Sequence, residues 1–513
     1  MRKYFGTDGI RRIANTELSP ELVYKVAKAG AYVLSKHTDH APTILIGRDT
    51  RISGSLIESA MVAGFLSYGA NVKILGVIPT PAVAYLTRRF KADASVVISA
   101  SHNTYEFNGI KYFSNKGMKI PDDLEEEIEN VMDSGKITEL TAINDKIGVS
   151  EDRTDLLDEY VYFFRKNFEE ELEVLDKENF TIAVDTANGA TSVVAEKVFK
   201  VLGINYHIIN NTPDGININA NCGSTHLDGL KKFVLENKCN LGVAYDGDGD
   251  RCLLVDEKGN EIDGDKILAV ISNRLMQKGK LKKDTIVATV MSNLGLKKYA
   301  QNNNLNLVQT KVGDRYVLEE MMKNGYNLGG EQSGHIIFLD YNPTGDGILT
   351  SLMFIQSLLE NQCSASELCN IIKLYPQVLV NAKVSSDKKY EYDKDEVIAK
   401  NIKLLEEESI ENNINKTIET IICINNKENK LRTQALKNHE VCSNINDKIA
   451  KGVSKIKTLI ITYLKEYVKT RFNKDIVSEA LIIPSNEKIS KEEEVIEISL
   501  FISKISSEKQ MFL

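Results

Sequence analysis

Asp246, Asp248 and Asp250 stand at alternate positions in Asp246-Gly247-Asp248-Gly249-Asp250-Arg251, directly after the apolar run Leu241 to Tyr245. The run predicts a buried strand, and in extended geometry residues i, i+2 and i+4 share one face. Glycines at 247 and 249 let the backbone curl so that the three carboxylates converge. Three hard oxygen donors suit Mg²⁺, which keeps coordination positions for water or a phosphate oxygen. Three carboxylates around a divalent ion leave about one negative charge, which repels a phosphate unless cations sit nearby. Arg251 supplies the first such cation. A calcium loop of the EF-hand type also begins with alternating Asp, and Glu257 falls at its last ligand position. Arg251, however, occupies the position where that loop needs glycine, and a strand rather than a helix precedes it. The motif is therefore read as a metal site that faces a phosphate.

A second chemical loop closes the strand-like segment Val96-Val97-Ile98-Ser99-Ala100-Ser101-His102-Asn103. Ser101 is a candidate nucleophile and His102 an adjacent acid/base, against the plainer reading of a capping or turn serine. G-x-S-x-G is absent, so this is no hydrolase elbow. Lys111 follows closely in Asn108-Gly109-Ile110-Lys111. A third loop, Gly329-Gly330-Glu331-Gln332-Ser333-Gly334-His335, sets Glu331 and Ser333 two residues apart, where their polar tips can bridge the hydroxyls of a sugar; an exposed hairpin turn is the alternative. Gly313, Asp314 and Arg315 in Lys311-Val312-Gly313-Asp314-Arg315 lie at a predicted strand-to-helix junction, which can bind anions through backbone N–H groups and arginine. Asp8-Gly9-Ile10-Arg11 and Gly47-Arg48-Asp49-Thr50-Arg51 add three more arginines in loops.

These loops need strands and helices to position them, and the sequence alternates accordingly. Thr43 to Gly47 reads as a strand, Ser53 to Ser67 as a helix, Asn71 to Val77 and Ala94 to Ser99 as strands. The pattern restarts at Phe180 to Asp185, with a turn at Asn188-Gly189 and a helix over Ala190 to Leu202. It restarts again at Thr285 to Met291, with helices after Leu294 and Asp314. Such alternation predicts α/β layers, whose ligands bind beyond the carboxyl ends of the strands. The 513 residues suffice for three or four domains. A net charge of −8 gives no reason to expect nucleic acid or an anionic membrane as partner. Seven cysteines without a C-x-x-C pair argue against a disulfide framework. With no apolar run of membrane-spanning length and no room for a signal peptide before Tyr4-Phe5-Gly6, a cytoplasmic protein is expected.

Glycine usage collapses late in the chain: of 32 glycines, only Gly452 lies beyond Gly347. A strand is expected over Gln377 to Val384 and a helix over Glu396 to Glu408. Ile449 to Val468 has the spacing of a basic amphipathic helix, read as an ordinary surface helix.

Taken in order, FGTDGIR (5–11), GRDTRISG (47–54), SASHN (99–103) with NGIK (108–111), DGDGDR (246–251), KVGDRYV (311–317) and GEQSGH (330–335) resemble the α-D-phosphohexomutase superfamily over residues 1 to about 385. GEQSGH and Asn217-Ile218-Asn219 with Cys222-Gly223-Ser224-Thr225-His226 narrow the resemblance to members acting on hexosamine phosphates. It implies four domains around a cleft: 1–150 carrying a phosphoserine, 151–256 binding the metal, 257–368 reading the sugar, and a C-terminal α+β domain, 369–513, that departs from the family. It implies phosphoserine at Ser101 and Mg²⁺ on Asp246, Asp248, Asp250 and the phosphoserine oxygen. Arg11, Arg251 and Lys111 become cleft cations, and Lys111, His102 and His335 acid/base candidates. Glu331 and Ser333 become the sugar-hydroxyl readers. The implied reaction moves phosphate between O6 and O1 of a hexosamine through a 1,6-bisphosphate, upstream of UDP-N-acetylglucosamine and cell-wall synthesis. A homodimer is compatible with it.

Three departures stand out. Thr104 replaces a proline after Asn103, which loosens a turn without removing a chemical group. Arg12 replaces a glycine, which strains the chain by about 1 kcal/mol or more if that position needs a positive φ. The family's fourth-domain phosphate loop, Arg-x-Ser-Gly-Thr-Glu-Pro, does not occur; Ile483-Pro484-Ser485-Asn486-Glu487 is a chance echo. A catalytically impaired sugar-phosphate binder is therefore the alternative, beside phosphoglucomutase or phosphomannomutase activity.

Overall fold

The computed structural model describes residues 3–6, 8–36, 38–385 and 493–500, and in it the apolar runs form strands that each deliver a polar loop. The first sheet comprises β1 (Ile10–Ile13), β2 (Thr43–Arg48), β3 (Asn71–Val77), β4 (Ala94–Ile98), β5 (Phe107–Ser114) and β6 (Ser150–Asp152), in the order β1-β5-β4-β2-β3-β6. β2 runs parallel to β3 and β4, and β5 is antiparallel to both β4 and β1. Its helices are α1 (Pro20–Leu34), α2 (Gly54–Tyr68), α3 (Thr80–Arg89) and α4 (Asp122–Asp133). Ser19 starts α1 by accepting from Leu22 N–H, with Pro20 pre-set in the first turn. Alternate strand residues Ile44, Ile46, Val96 and Ile98 meet Val23, Val26, Met61 and Phe65 in a buried core. Each such side chain contributes roughly 1.5–3 kcal/mol. Arg12 sits within β1 opposite Asn108 and has no positive φ, so the strain expected at this departure does not arise.

α5 (Leu157–Glu173) leads into the second sheet, formed by β7 (Thr181–Asp185), β8 (Asn205–Ile209), β9 (Leu241–Tyr245), β10 (Cys252–Asp256) and β11 (Glu261–Ile262), with α6 (Ala195–Val201) and α7 (Asp228–Asn237). The order is β11-β10-β9-β7-β8, and β11 carries this sheet past the boundary expected at residue 256. The helix expected over Ala190 to Leu202 is divided into a 3₁₀ turn, Ala190–Val193, and α6. Its first N–H, on Ala190, donates instead to Gly247 O at 2.8 Å.

The third sheet follows α8 (Gly264–Gln277). It comprises β12 (Thr285–Thr289), β13 (Asn306–Thr310), β14 (Leu328–Gly330) and β15 (Ile336–Phe338), in the order β13-β12-β14-β15, with α9 (Leu294–Asn302) and α10 (Asp314–Asn324). α11 (Gly347–Asn361) packs on α8, α5 and β10, and the short α12 (Ala365–Leu368) follows. Three mixed sheets with flanking helices are the architecture the sequence predicts.

The described residues up to Lys373 form one compact unit, and those from Leu374 belong to a second. In the second, β16 (Val378–Ser385) pairs antiparallel with β17 (Glu493–Leu500). β16 matches the strand expected over Gln377 to Val384. The helix expected over Glu396 to Glu408, the stretch 449–468 and the echo 483–487 lie outside the described residues. No described helix is long and apolar enough to cross a membrane.

Candidate active site

Ser101 lies in the loop after β4, is buried, and has φ of 51°, the left-handed region. For a residue with a β-carbon that conformation costs about 1–3 kcal/mol and persists only where surroundings enforce it. Its N–H donates to Ser99 Oγ at 2.9 Å, and Ser99 Oγ donates to Asp49 at 2.6 Å. Its Oγ donates to Asp246 Oδ2 at 2.7 Å and lies 3.4 Å from His102 Nδ1. Burial, followed by Arg251 and Arg11, pushes the His102 imidazole down to about 4.

The aspartate loop joins β9 to β10, with Tyr245 paired to Cys252 across its base. Residues 246–250 form a turn rather than an extended segment, closed by Gly249 N–H donating to Asp246 O. Shared strand facing therefore does not bring the carboxylates together; the turn does. Gly249 has φ of 72°, and a β-carbon on Gly247 would meet Ser101 O at 2.6 Å. One oxygen from each of Asp246, Asp248 and Asp250 lies within 4.8 Å of the others, and all three residues are buried. Glu257 is turned away and accepts from Ser366, which disposes of the calcium-loop reading.

The donor set fits a hard divalent cation. Asp248 Oδ1 and Asp250 Oδ1 are buried without a hydrogen-bond partner, an arrangement that is costly unless a cation meets them. Burial, with Asp250 and Asp248 beside it, pushes the Asp246 carboxyl well above its usual range. A cation there would favour its ionised form. Burial acts on Asp248 too, but Lys111 and the Thr80 hydroxyl override it and hold that carboxyl below the usual range.

Lys111, on β5, places Nζ 2.9 Å from Asp248 Oδ2, 3.6 Å from Asp250 and 3.5 Å from Asp8. Burial would lower its pKa; Asp248, Asp8 and Asp250 outweigh it and keep the ammonium form. Asp8 also pairs with Arg11 and Lys119, and Lys119 Nζ reaches Asp314 Oδ2 at 2.6 Å. Asp314 Oδ2 is 3.4 Å from His335 Nε2, which is 4.0 Å from Asp250. Carboxylates and ammonium groups thus alternate between the first and third sheets around the aspartate loop, with His335 Nε2 accepting from Gly345 N–H at 3.2 Å. Arg11 Nε and Arg251 Nε are buried without a partner, as is His335 Nδ1.

The GEQSGH segment is the turn of the β14–β15 hairpin, tied to the aspartate loop by Cys252 N–H donating to Gly334 O at 3.0 Å. Glu331 Oε1 accepts from Gly313 N–H at 3.2 Å, which joins two sequence-predicted loops. Ser333 is half-buried on the same turn. Arg315 is not brought to this cluster. Its NH2 donates to Ile120 O at 2.9 Å, and its guanidinium pairs with Asp122 and Glu125 of α4. These contacts tie α10 to the first domain.

Sequence reasoning missed Asp8 and Lys119 as members of this alternation. It also missed Thr80, whose hydroxyl donates to Asp248 Oδ2 at 2.6 Å from the start of α3. Asn219 was quoted only as part of a motif, yet its Nδ2 donates to Ser101 O at 2.9 Å across 118 residues of chain. Long-range hydrogen bonds of this kind leave no local spacing to detect.

A buried carboxylate triad beside a buried serine, set among three mixed α/β sheets, is the arrangement that the phosphohexomutase resemblance implies. Family models agree: phosphoglucomutase/phosphomannomutase α/β/α domain I matches residues 2–139, domain II residues 158–259 and domain III residues 263–375. A phosphoglucosamine mutase of Acetivibrio thermocellus is 52% identical over 409 residues, covering 80% of this chain and 90% of that protein. One from Clostridium acetobutylicum is 52% identical over 408 residues, with the same coverage. The chain belongs to the phosphoglucosamine mutase family of the α-D-phosphohexomutase superfamily. Solved structures share the fold. A phosphoglucomutase/phosphomannomutase family protein from Burkholderia thailandensis aligns with a TM-score of 0.64 at 21% identity over 80% of this chain and 85% of that one. An Aspergillus fumigatus N-acetylphosphoglucosamine mutase, solved with GlcNAc-6P and magnesium, aligns at 0.56 and 16% identity over 79% and 88%.

Proposed function

We propose that this chain is a Mg²⁺-dependent phosphoglucosamine mutase, an isomerase interconverting glucosamine 6-phosphate and glucosamine 1-phosphate through phospho-Ser101. The observation that carries the reading is the set of orphaned buried groups of both signs around Ser101. Asp248 Oδ1 and Asp250 Oδ1 there lack a hydrogen-bond partner, and so do the Nε atoms of Arg11 and Arg251. A phosphoryl group bound beside a divalent ion satisfies both kinds. Asp246, Asp248 and Asp250, with a phosphoserine oxygen, would hold Mg²⁺, which when bound polarises the phosphoryl group and offsets its spreading charge.

Transfer breaks the bond between Ser101 Oγ and phosphorus and forms one to the free sugar hydroxyl, whose proton passes to a base. His102, whose Nδ1 lies 3.4 Å from Ser101 Oγ, and His335 are the candidate bases. Lys111, held as an ammonium, stabilises phosphoryl oxygens, and the base that takes the sugar proton returns it to the departing Ser101 oxygen. The bisphosphate turns end over end, and its other phosphate returns to Ser101. Arg11 and Arg251 bind phosphate in either pose, while Glu331 and Ser333 read the hydroxyls, with Asp314 holding Lys119 and His335 in register. Residues 1–150 thus carry the phosphoserine, 151–256 the metal loop, and 257–368 the sugar loop; a cytoplasmic location fits this soluble substrate.

The test is purified protein with Mg²⁺, a trace of glucosamine 1,6-bisphosphate, and each hexose phosphate in turn. Fastest turnover on glucosamine phosphates is expected. Faster turnover of glucose or mannose phosphates would assign a sibling specificity instead, and binding without turnover would assign an impaired binder.

A further inference from the structure

We propose that Arg51 and Asn219 are positioning residues that hold Ser101 in transfer geometry by gripping the main-chain carbonyls of its loop from two different sheets. The proposal rests on the reading of Ser101 as the phosphoryl carrier. Arg51 has a fully enclosed side chain whose guanidinium uses every one of its nitrogens. Nε donates to Asp49 Oδ2 at 2.8 Å. NH1 donates to Thr104 O and, at 3.0 Å, to Phe107 O. NH2 donates to Ser101 O at 2.9 Å and Asn103 O at 2.8 Å. Asp49 completes the support from the other side, because it also accepts from Ser99, whose hydroxyl receives Ser101 N–H.

Asn219 approaches the same loop from the second sheet. Its Nδ2 donates to Ser101 O at 2.9 Å and to Asn103 O at 3.0 Å, and its own N–H is fixed on Ala187 O. Two carbonyls are therefore held twice, once from each sheet. Ser101 belongs to the first sheet and its partner Asp246 to the second, so the distance between them depends on contacts that bridge the two. Ser101 is also in a left-handed backbone state that a serine leaves unless it is held. An arginine retained only for its charge would be matched by Asp49 alone. Four further donors directed at one loop indicate a fork whose shape matters, and lysine cannot reproduce that shape.

The experiment compares wild type, Arg51→Lys and Asn219→Ala by hydrogen–deuterium exchange and by steady-state kinetics on glucosamine phosphate with Mg²⁺. Amides of residues 99–107 should exchange about tenfold faster in both variants, with β2 and β4 unchanged. kcat should fall about 100-fold in Arg51→Lys and about tenfold in Asn219→Ala, with KM held within about threefold. Wild-type exchange in 99–107, or faster exchange spread through the whole first sheet with kcat intact, would overturn the proposal. If Arg51→Lys does not fold, Asn219→Ala decides alone, since it touches the same carbonyls without carrying charge. Absence of turnover in the wild type would defeat the mutase reading, while the exchange comparison would still decide the grip.

Discussion

The loops Asp246–Arg251 and Lys311–Arg315 look alike in sequence, each setting glycine beside charge at the end of a strand, yet they end in opposite states. In the first, Asp248 Oδ1 and Asp250 Oδ1 are buried with no hydrogen-bond partner. In the second, Arg315 is bound to Ile120 O, Asp122 and Glu125, and Asp314 is bound to Lys119. The difference is set by what the neighbouring domain presents. Against 246–251 it brings a serine hydroxyl and a lysine; against 311–315 it brings the acidic start of α4. Charge type and spacing mark where chemistry is possible, and the partner count decides whether the charge remains available.

Removal of the divalent ion should have the largest effect. Chelation should take mutase activity down by about 10³-fold or more, restored by Mg²⁺, because the charge that spreads over the phosphoryl group in transfer is then left without its metal. Activity untouched by chelator would break the contrast. Asp248→Asn should lower kcat by about 10²–10³-fold, since it removes one carboxylate facing the phosphoryl group and the partner of Lys111. Kinetics near the wild-type value would place the triad outside the reaction. Arg315→Gln should do the reverse: kcat within about threefold of wild type, with stability lower by about 1–3 kcal/mol in urea unfolding. A kcat loss of the size seen in Asp248→Asn would return Arg315 to the substrate site.

The smallest effect concerns a carboxylate with many hydrogen bonds and no cation. Asp346 caps α11, accepting from Leu349 N–H and the Tyr160 hydroxyl, and burial leads in pushing its carboxyl up to about 6. Because the folded pKa lies above the unfolded one, its stabilising contribution is full below about pH 4 and is lost as pH rises through about 6. Asp346→Asn should flatten the stability profile between pH 4 and 7.5 by about 1–3 kcal/mol. An unchanged slope in urea titrations would show that Asp346 is ionised throughout.

Much of the site was legible because its groups cluster within short motifs. The alternating aspartates could be picked out from residue type and spacing, whereas Ser101 with His102, and Lys111 within NGIK, gained weight only from one another and from the family resemblance. Of the two reasons given for the convergence of the aspartates, the curl at the glycines holds and the shared strand face does not: a turn between antiparallel strands gathers them. The strands were legible to within a residue or two, because apolar runs bounded by glycine and polar residues have few other uses. The helix at Ala190 was broken by a hydrogen bond to Gly247, which no local pattern announces. Asp8, Thr80, Lys119 and Asn219 were passed over for a related reason: each acquires its role from a partner more than a hundred residues away. Arg12 shows the converse, a feared strain that vanishes once the residue is seen in an ordinary strand.

The central claim is that Ser101 carries the phosphoryl group through an exchange with the sugar. The direct measurement is a single turnover with Ser101-phosphorylated protein, Mg²⁺ and glucosamine 6-phosphate, following phosphate on the Ser101 peptide by mass spectrometry. Loss of that phosphate in step with the appearance of glucosamine 1,6-bisphosphate, with Ser101→Ala inert, is the predicted result. Turnover while Ser101 keeps its phosphate, or turnover by Ser101→Ala, would contradict it.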